Sequence, residues 1–315
     1  MRRGAGTMTT LCVTGCDARY FLTTLAFLEG LGDRFPRASV RVCDFGLTDG
    51  QREYLRAAGV LLDRPAILPP GAHPYLCKGH LSEYCSGEAW DTLLWLDSDM
   101  LLGALDLAVV EAAADGLRKA GKALAATGTI DRFTIAQTMA ELRANGHHVA
   151  PAEDLLRERA VDQSQPYISS GLMLWVSRGP LAYWATVCRS APPQALLEQN
   201  VLNALVMRNP AMVEVLDARL WQVYDAPLAE IRMPDPQAPH HLTLDGRPVM
   251  TVHASSRKGH HLDANLDMNF GEHALKGYLR LFVNPVLQQR QLRNLVDAVT
   301  RDRAALAAIG VLEPR

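Results

Sequence analysis

The run Leu93-Leu94-Trp95-Leu96-Asp97-Ser98-Asp99 constrains this chain more than any other stretch. Its four apolar residues read as a buried strand, which ends abruptly in two carboxylates two positions apart. With a side-chain period of two, Asp97 and Asp99 point to the same side for as long as strand geometry persists. Two acids on one side of a strand end can grip a hard divalent cation. In open α/β sheets, ligands gather at the carboxyl ends of the strands. The segment therefore implies a metal site, its place in the fold and a phosphate-bearing substrate. Aspartate after a strand also serves turns and helix caps, so the pair has to be read with its surroundings.

Those surroundings alternate between strand and helix patterns. Leu11–Thr14 reads as a strand and Tyr20–Leu31 as an amphipathic helix. Val40–Cys43 is a second strand, followed by a helix that Thr48, Asp49 and Gly50 announce. Pro74–Gly87 reads as helical, Thr92–Leu96 as the strand bearing the acids, Ala104–Ala120 as a helix and Ala123–Thr127 as a strand. This βαβα rhythm predicts an α/β fold with a doubly wound, mostly parallel sheet. Further on, Gly171–Val176 and Val249–His253 read as strands and Gln194–Met207 as a helix, while Met233–Pro248 reads as a surface loop. Beyond Asp263 the chain reads as helical. Leu287, Leu292, Leu295, Val296, Val299 and Leu306 recur there near helical spacing, to dock on the domain or to form a homodimer face.

The 315 residues suffice for one large α/β domain or two modest ones, with the 48% hydrophobic and 21% charged content of an ordinary globular protein. A formal net charge of −2 provides no basic field for nucleic acid. No apolar run approaches a membrane span, and the first residues lack the apolar core of a signal peptide, so a cytoplasmic location is expected. Cys12, Cys16, Cys43, Cys77, Cys85 and Cys188 form no C-x-x-C pair and read as small buried hydrophobes. The pairs His147-His148, His240-His241 and His260-His261 lack the i, i+4 spacing of helical metal ligands and read as loop residues.

Thr14-Gly15-Cys16-Asp17, with Tyr20 one turn further on, closes the first strand. Glycine permits a tight turn and close backbone approach to a ligand, a helix N-terminus there favours an anion, and an aromatic can stack on a base. Asp17 could equally cap the helix, and Tyr20 could simply pack. No G-x-G-x-x-G occurs, which removes the usual support for dinucleotide binding.

Taken in order, these segments resemble the GT-A glycosyltransferases, in particular glycosyltransferase family 8, which includes glycogenin and bacterial galactosyltransferases. Thr14–Tyr20 resembles the donor-binding opening of that family, and Cys43–Thr48 its following strand and loop. Leu94–Asp99 is similar to its D-x-D segment. Ile168–Met173 stands at its Asn-Ala-Gly strand entry, Glu198–Asn203 at its D-Q-D-x-L-N helix start, and Val252-His253 with Lys258 at its late His–Lys element. The resemblance implies a GT-A domain over residues 8–262 with a C-terminal helical extension over 263–315. It also implies a nucleotide-diphosphate sugar donor, most simply a UDP-sugar, and an unspecified acceptor hydroxyl.

In such an enzyme a divalent cation neutralises the leaving diphosphate as a Lewis acid. Asp97, Asp99 and His253 would be its ligands, a mixed N/O set that suits Mn²⁺ and tolerates Mg²⁺. Asp97 would share the metal or hold the ribose. Thr14, Gly15, Asp17, Tyr20, Ser98, Ser170 and Gly171 would contact the donor. Lys78 and Lys258 would meet the diphosphate, with Arg257 an alternative to Lys258. The reaction centre departs from the family pattern: Glu198-Gln199-Asn200 replaces Asp-Gln-Asp, and Ser169-Ser170 replaces Asn-Ala. A retaining enzyme would use Gln199 or Glu198 near the anomeric carbon, and an inverting one would use Glu198 or Asp225 as base.

Competing readings fit less well. A haloacid-dehalogenase phosphatase also opens on D-x-D, but Leu101 stands where that run needs Thr or Val, and no late acidic pair follows a strand. Sugar-1-phosphate nucleotidyltransferases open with a Gly-rich basic loop that Thr14–Tyr20 lacks. A catalytically degenerate nucleotide-sugar binding protein is the non-enzyme alternative.

Overall fold

The strand that ends in the two acids is central in a seven-stranded sheet and is covered on both faces. The computed structural model describes residues 8–235, 238, 240–254 and 259–315. In chain order its first half runs β1 (Thr10–Cys16), α1 (Phe21–Leu31), β2 (Val40–Asp44), α2 (Asp49–Ala57), β3 (Leu61–Leu62), α3 (Pro74–Gly79), α4 (Leu81–Tyr84), β4 (Thr92–Leu96), β5 (Met100–Leu102), α5 (Leu107–Lys119) and β6 (Leu124–Gly128). Next come α6 (Ile135–Ala144), α7 (Ala150–Glu158), β7 (Ile168–Trp175), α8 (Arg178–Ser190), α9 (Leu197–Val206), β8 (Val213–Leu216), α10 (Ala218–Trp221), β9 (Thr243–Leu244), β10 (Arg247–Pro248) and β11 (Thr251–His253). The chain closes with β12 (His261–Phe270), β13 (His273–Phe282), α11 (Pro285–Arg301), α12 (Arg303–Ala308) and β14 (Leu312–Pro314).

The main sheet has the order β3-β2-β1-β4-β7-β6-β8. Strand β7 runs antiparallel to β4 and β6, and the other neighbours are parallel. The doubly wound, mostly parallel sheet expected from the sequence is the one observed. Alternation along β4 explains its continuous apolar run. Leu93 and Trp95 enter the core beneath α3, α4 and α6 to α9, while Leu94 and Leu96 enter the one beneath α1, α2, α5 and α11. Trp95 itself is 1% exposed, and Trp175 stacks on Trp184 at 6.1 Å within the first core. At about 1.5–3 kcal/mol per fully buried large side chain, these two layers are the main source of stability.

Local signals explain several boundaries. Thr48 and Gln51 form a reciprocal capping box that starts α2, and Thr134 and Gln137 do the same for α6. Asn284 accepts from the backbone of Val286 and Leu287 and so starts α11 just ahead of Pro285.

The C-terminal region departs from expectation. His261 to Phe282 is a β-hairpin rather than a helix, turning at Gly271 with a left-handed φ of +67°. Its first strand alternates polar residues with Ala264, Leu266 and Met268, which pack against the second core. That period of two favours a strand. His261, expected in a loop, therefore opens β12, whereas His147, His148, His240 and His241 do lie in loops or turns. The tail becomes helical from Pro285. Leu295, Val299 and Leu306 then bury themselves in the core shared with α1, so the face that could have docked or dimerised lies on its own domain.

All six cysteines are unpaired and buried, as expected of small hydrophobes. Burial pushes the Cys12 and Cys85 thiols up to about 12. The native protein is expected to release less than one equivalent of thiol to Ellman's reagent at pH 8, and six after denaturation. Rapid native labelling of even two thiols would contradict the core described. Among the described residues, no helix is long and apolar enough to cross a membrane.

Candidate active site

Strand β4 ends at Leu96, and the chain turns at once, with the Met100 amide donating to the Asp97 carbonyl. The acids thus reach the same side through a tight turn rather than through continued strand alternation. From Met100 the chain runs back as β5, which pairs antiparallel with β11 so that Met100 lies opposite His253. This register sets the imidazole against the acids. His253 Nε2 is 2.9 Å from Asp99 Oδ1 and 3.7 Å from Asp97 Oδ2. One ligand atom from each of Asp97, Asp99 and His253 lies within 4.8 Å of the others, a spacing compatible with a single cation.

The surrounding shell holds each of these groups. Asp97 Oδ1 accepts from Lys78 Nζ at 2.7 Å and from the Trp95 indole at 2.8 Å. Lys78, on the short helix α3, is only 6% exposed. Asp99 is 7% exposed, and its second oxygen lies 3.4 Å from the Arg280 guanidinium of β13. Burial works to raise the Asp99 pKa, but His253 and Arg280 outweigh it and hold the carboxyl below the usual aspartate range. Gln222 packs its amide on His253 Nδ1 at 2.8 Å and is itself held by the Thr127 hydroxyl at 2.5 Å. In this arrangement the amide nitrogen faces Nδ1 and Nε2 is left to face Asp99. Coordination through Nε2 needs the proton on Nδ1, and Gln222 can accept it once the amide turns over and the Thr127 contact reverses its sense.

A cleft of about 420 Å³ opens over this cluster. Gly15, Asp17, Tyr20, Lys78, Asp97, Ser98, Asp99, Ser170, Gly171, Glu198, Gln199 and His253 all line it. Asp17 uses its carboxylate to accept from the Tyr20 amide and so closes the turn ahead of α1, whose N-cap position is Tyr20 rather than Asp17. Gly15 faces the Phe45 ring, which would lie 2.5 Å from any added Cβ. Two predicted residues lie elsewhere. Thr14 is fully buried in β1 and does not line the cleft, which the strand reaches only from Gly15 and its last residue Cys16 onward. Asp225 lines an adjoining cavity of about 510 Å³, which shares Tyr75, Ser169, Leu196 and Gln199 with the cleft. Lys258 and its alternative Arg257 lie outside the described residues.

Helix α9 begins at this cleft immediately after Leu196, whose φ of +49° is strained for a branched side chain. Gln199 Oε1 accepts from the Ser170 amide at 2.9 Å, and Glu198 Oε1 accepts from the Ser170 hydroxyl at 2.9 Å. Ser170 thus serves this chain's own Glu-Gln pair. Asn200 turns inward and accepts from the Tyr167 hydroxyl at 2.7 Å, a packing role. Glu198 is 2% exposed, lies 3.9 Å from Lys78 and, among the described residues, leaves Oε2 without a hydrogen-bond partner. Burial raises its pKa, with Lys78 opposing. The protonated form is therefore favoured by folding, and the stability tied to it fades as pH rises above the ordinary glutamate value of 4.5. Glu198→Gln is expected to match the wild type in urea midpoint near pH 4.5 and to exceed it increasingly toward pH 8. A variant that loses stability as pH rises would contradict this.

Arg280 and Gln222 were not anticipated from the sequence. Arg280 also lies 5.3 Å over the Tyr20 ring, and Tyr20 meets Tyr278 at 5.3 Å, so the hairpin forms one wall of the site.

No family model matches the chain, and no curated protein matches it in sequence. Among solved structures it is similar to the galactosyltransferase LgtC in complex with donor and acceptor sugar analogues. The identity is 16% and the TM-score 0.46, over 77% of this chain and 86% of that one. It is also similar to mouse xyloside xylosyltransferase 1 in its apo form, at 12% identity and a TM-score of 0.46, over 78% of this chain and 96% of that one.

Proposed function

We propose that this chain is a metal-dependent GT-A glycosyltransferase that moves a sugar from a nucleotide-diphosphate donor, a UDP-sugar, to an acceptor hydroxyl. The observation that carries the reading is the convergence of Asp97, Asp99 and His253 at the carboxyl end of β4, with Lys78 against Asp97. Two carboxylates and an imidazole are a fitting donor set for Mn²⁺, with Mg²⁺ tolerated. When bound, the cation supplies Lewis-acid neutralisation of the diphosphate leaving group.

The protein's own residues do the rest in this reading. Asp97 and Asp99 hold the cation with His253, and Gln222 keeps the imidazole oriented. Lys78 and Arg280 add positive charge beside the leaving diphosphate. Tyr20 offers a face for the base, and Gly15, Ser98 and Gly171 give the donor close backbone or hydroxyl contacts. Asp17 and Ser170, whose polar groups serve the Tyr20 amide and the Glu198–Gln199 pair, shape the cleft wall. Gln199 and Glu198 line the cleft, and in this reading one of them would face the anomeric carbon. The adjoining cavity, which reaches Asp225 past Gln199, is the proposed entry for the acceptor. In this reading residues 8–262 form the transferase domain and 263–315 an extension that completes its wall, in a cytoplasmic protein.

The test is a screen of UDP-sugars for Mn²⁺-dependent release of UDP, with EDTA as control. Release from at least one UDP-sugar supports the enzyme. Tight binding without turnover of any donor or acceptor would favour the degenerate binding protein, and phosphate release from phosphomonoesters would favour the dehalogenase reading.

A further inference from the structure

Helix α11 carries an arginine that the proposed transfer does not use. Arg290 is 7% exposed, yet among the described residues it has no carboxylate partner, and its Nη1 is buried without any hydrogen-bond acceptor. It lines a cavity of about 610 Å³ together with Arg34, Arg293, Asn294, His240 and His241. Arg34 spends its donors on backbone, giving Nη1 to the Gly103 carbonyl at 2.7 Å and Nη2 to the Gly30 carbonyl at 2.6 Å. The Asn294 amide nitrogen is also buried and, among the described residues, unpartnered. Carboxylates at the rim do not balance this charge. Glu29 pairs with Arg301, Asp106 caps α5 and faces Arg34, and Asp33 is exposed. Burial, and after it the charge of Arg34, push the Arg290 pKa down.

A buried cation left without a counter-ion is costly, and buried charges are ordinarily paired and hydrogen-bonded. Guanidinium forks match phosphate geometry through paired N–H donors. We propose that this cavity is a second binding site, which takes a phosphate-bearing anion on the guanidinium groups of Arg290 and Arg293, with the positive charge of Arg34 beside them. It shares no lining residue with the cleft. The two are joined by the β5–β11 ribbon, whose near end Arg34 grips at Gly103 and whose far end bears Asp99 and His253. The inference stands independently of the activity proposed for the cleft.

The test is calorimetric titration of the full chain in EDTA with inorganic phosphate and, separately, glucose 1-phosphate. Saturable binding is expected. It should weaken at least tenfold in Arg290→Leu and measurably in the rim variant Arg293→Gln, and it should be unchanged in Lys78→Ala, which alters only the cleft. The tighter of the two probes identifies the source as free phosphate or a phosphorylated metabolite. Because Arg290→Leu removes an uncompensated buried charge, its melting temperature in phosphate-free buffer should equal or exceed that of the wild type. Should that variant fail to fold, Arg293→Gln carries the comparison. Absence of saturable binding by the wild type, affinity unchanged in both arginine variants, or loss of binding in Lys78→Ala would overturn the proposal.

Discussion

Asp99→Ala is expected to lower donor turnover by about a thousandfold or more, the several kcal/mol that a lost Lewis acid represents. The carboxylate is buried and receives His253 on one oxygen and Arg280 on the other. It is therefore poised as an anion, and its removal leaves an imidazole and a guanidinium with nothing between them. That second effect can cost about 3–5 kcal/mol of stability for a fully buried pair, so the alanine variant needs a folded control. Asp99→Asn provides it. The amide keeps the size of the side chain and an oxygen to meet the neighbouring donors, while discarding the anion that a divalent cation requires. Both variants should lose Mn²⁺-dependent UDP release, and the asparagine variant should keep a wild-type circular dichroism spectrum. Activity within tenfold of wild type in a folded Asp99→Asn protein would sink the assignment.

Gly171→Ala is expected to damage stability and the site together. A Cβ there would lie 2.3 Å from Gln222 Nε2 and 3.1 Å from His253 Cε1. Gln222 is pinned by Thr127, Ser169 and His253, so it cannot retreat without releasing the imidazole. Overpacking of this kind costs about 1–3 kcal/mol. Misorienting a ligand histidine costs roughly 10–100-fold in metal affinity. The expected result is a melting temperature several degrees lower and Mn²⁺-dependent UDP binding at least tenfold weaker. Gly179→Ala is the matched control, since its added methyl meets nothing within 4 Å. Equal behaviour of the two variants would show that the Gln222–His253 contact does not organise the site.

What was legible in the sequence divides along physical lines. Asp97 and Asp99 stood out because β4 is apolar on both faces and stops at them, a pattern that local periodicity alone reveals. Lys78 was singled out through the resemblance, helped by the scarcity of lysine, which occurs at five positions of the chain. His253 was identifiable only through its order among the segments of the resemblance, since nothing in Val249–His253 announces that it pairs with β5. That pairing spans some 150 residues and depends on tertiary register. Arg280 was missed because the segment beyond Asp263 was read as helical. The alternation of Leu262, Ala264, Leu266 and Met268 with polar residues was the signal for a hairpin, but apolar residues spaced for the later helix drew the reading toward one period throughout. Gln222 carries no motif, and only the crowding at Gly171 reveals its place. Of the expected Thr14 and Gly15, only Gly15 reaches the cleft, because Thr14 lies one residue deeper in β1 and is fully buried.

The most direct test of the central claim is calorimetric titration of UDP into the wild-type chain with Mn²⁺ and again with EDTA. One UDP per chain should bind in Mn²⁺, at least tenfold more weakly in EDTA, and the metal-dependent difference should vanish in Asp99→Asn. Equal affinity with and without the metal, or a metal-dependent difference that survives in Asp99→Asn, would contradict the clamp formed by Asp97, Asp99 and His253.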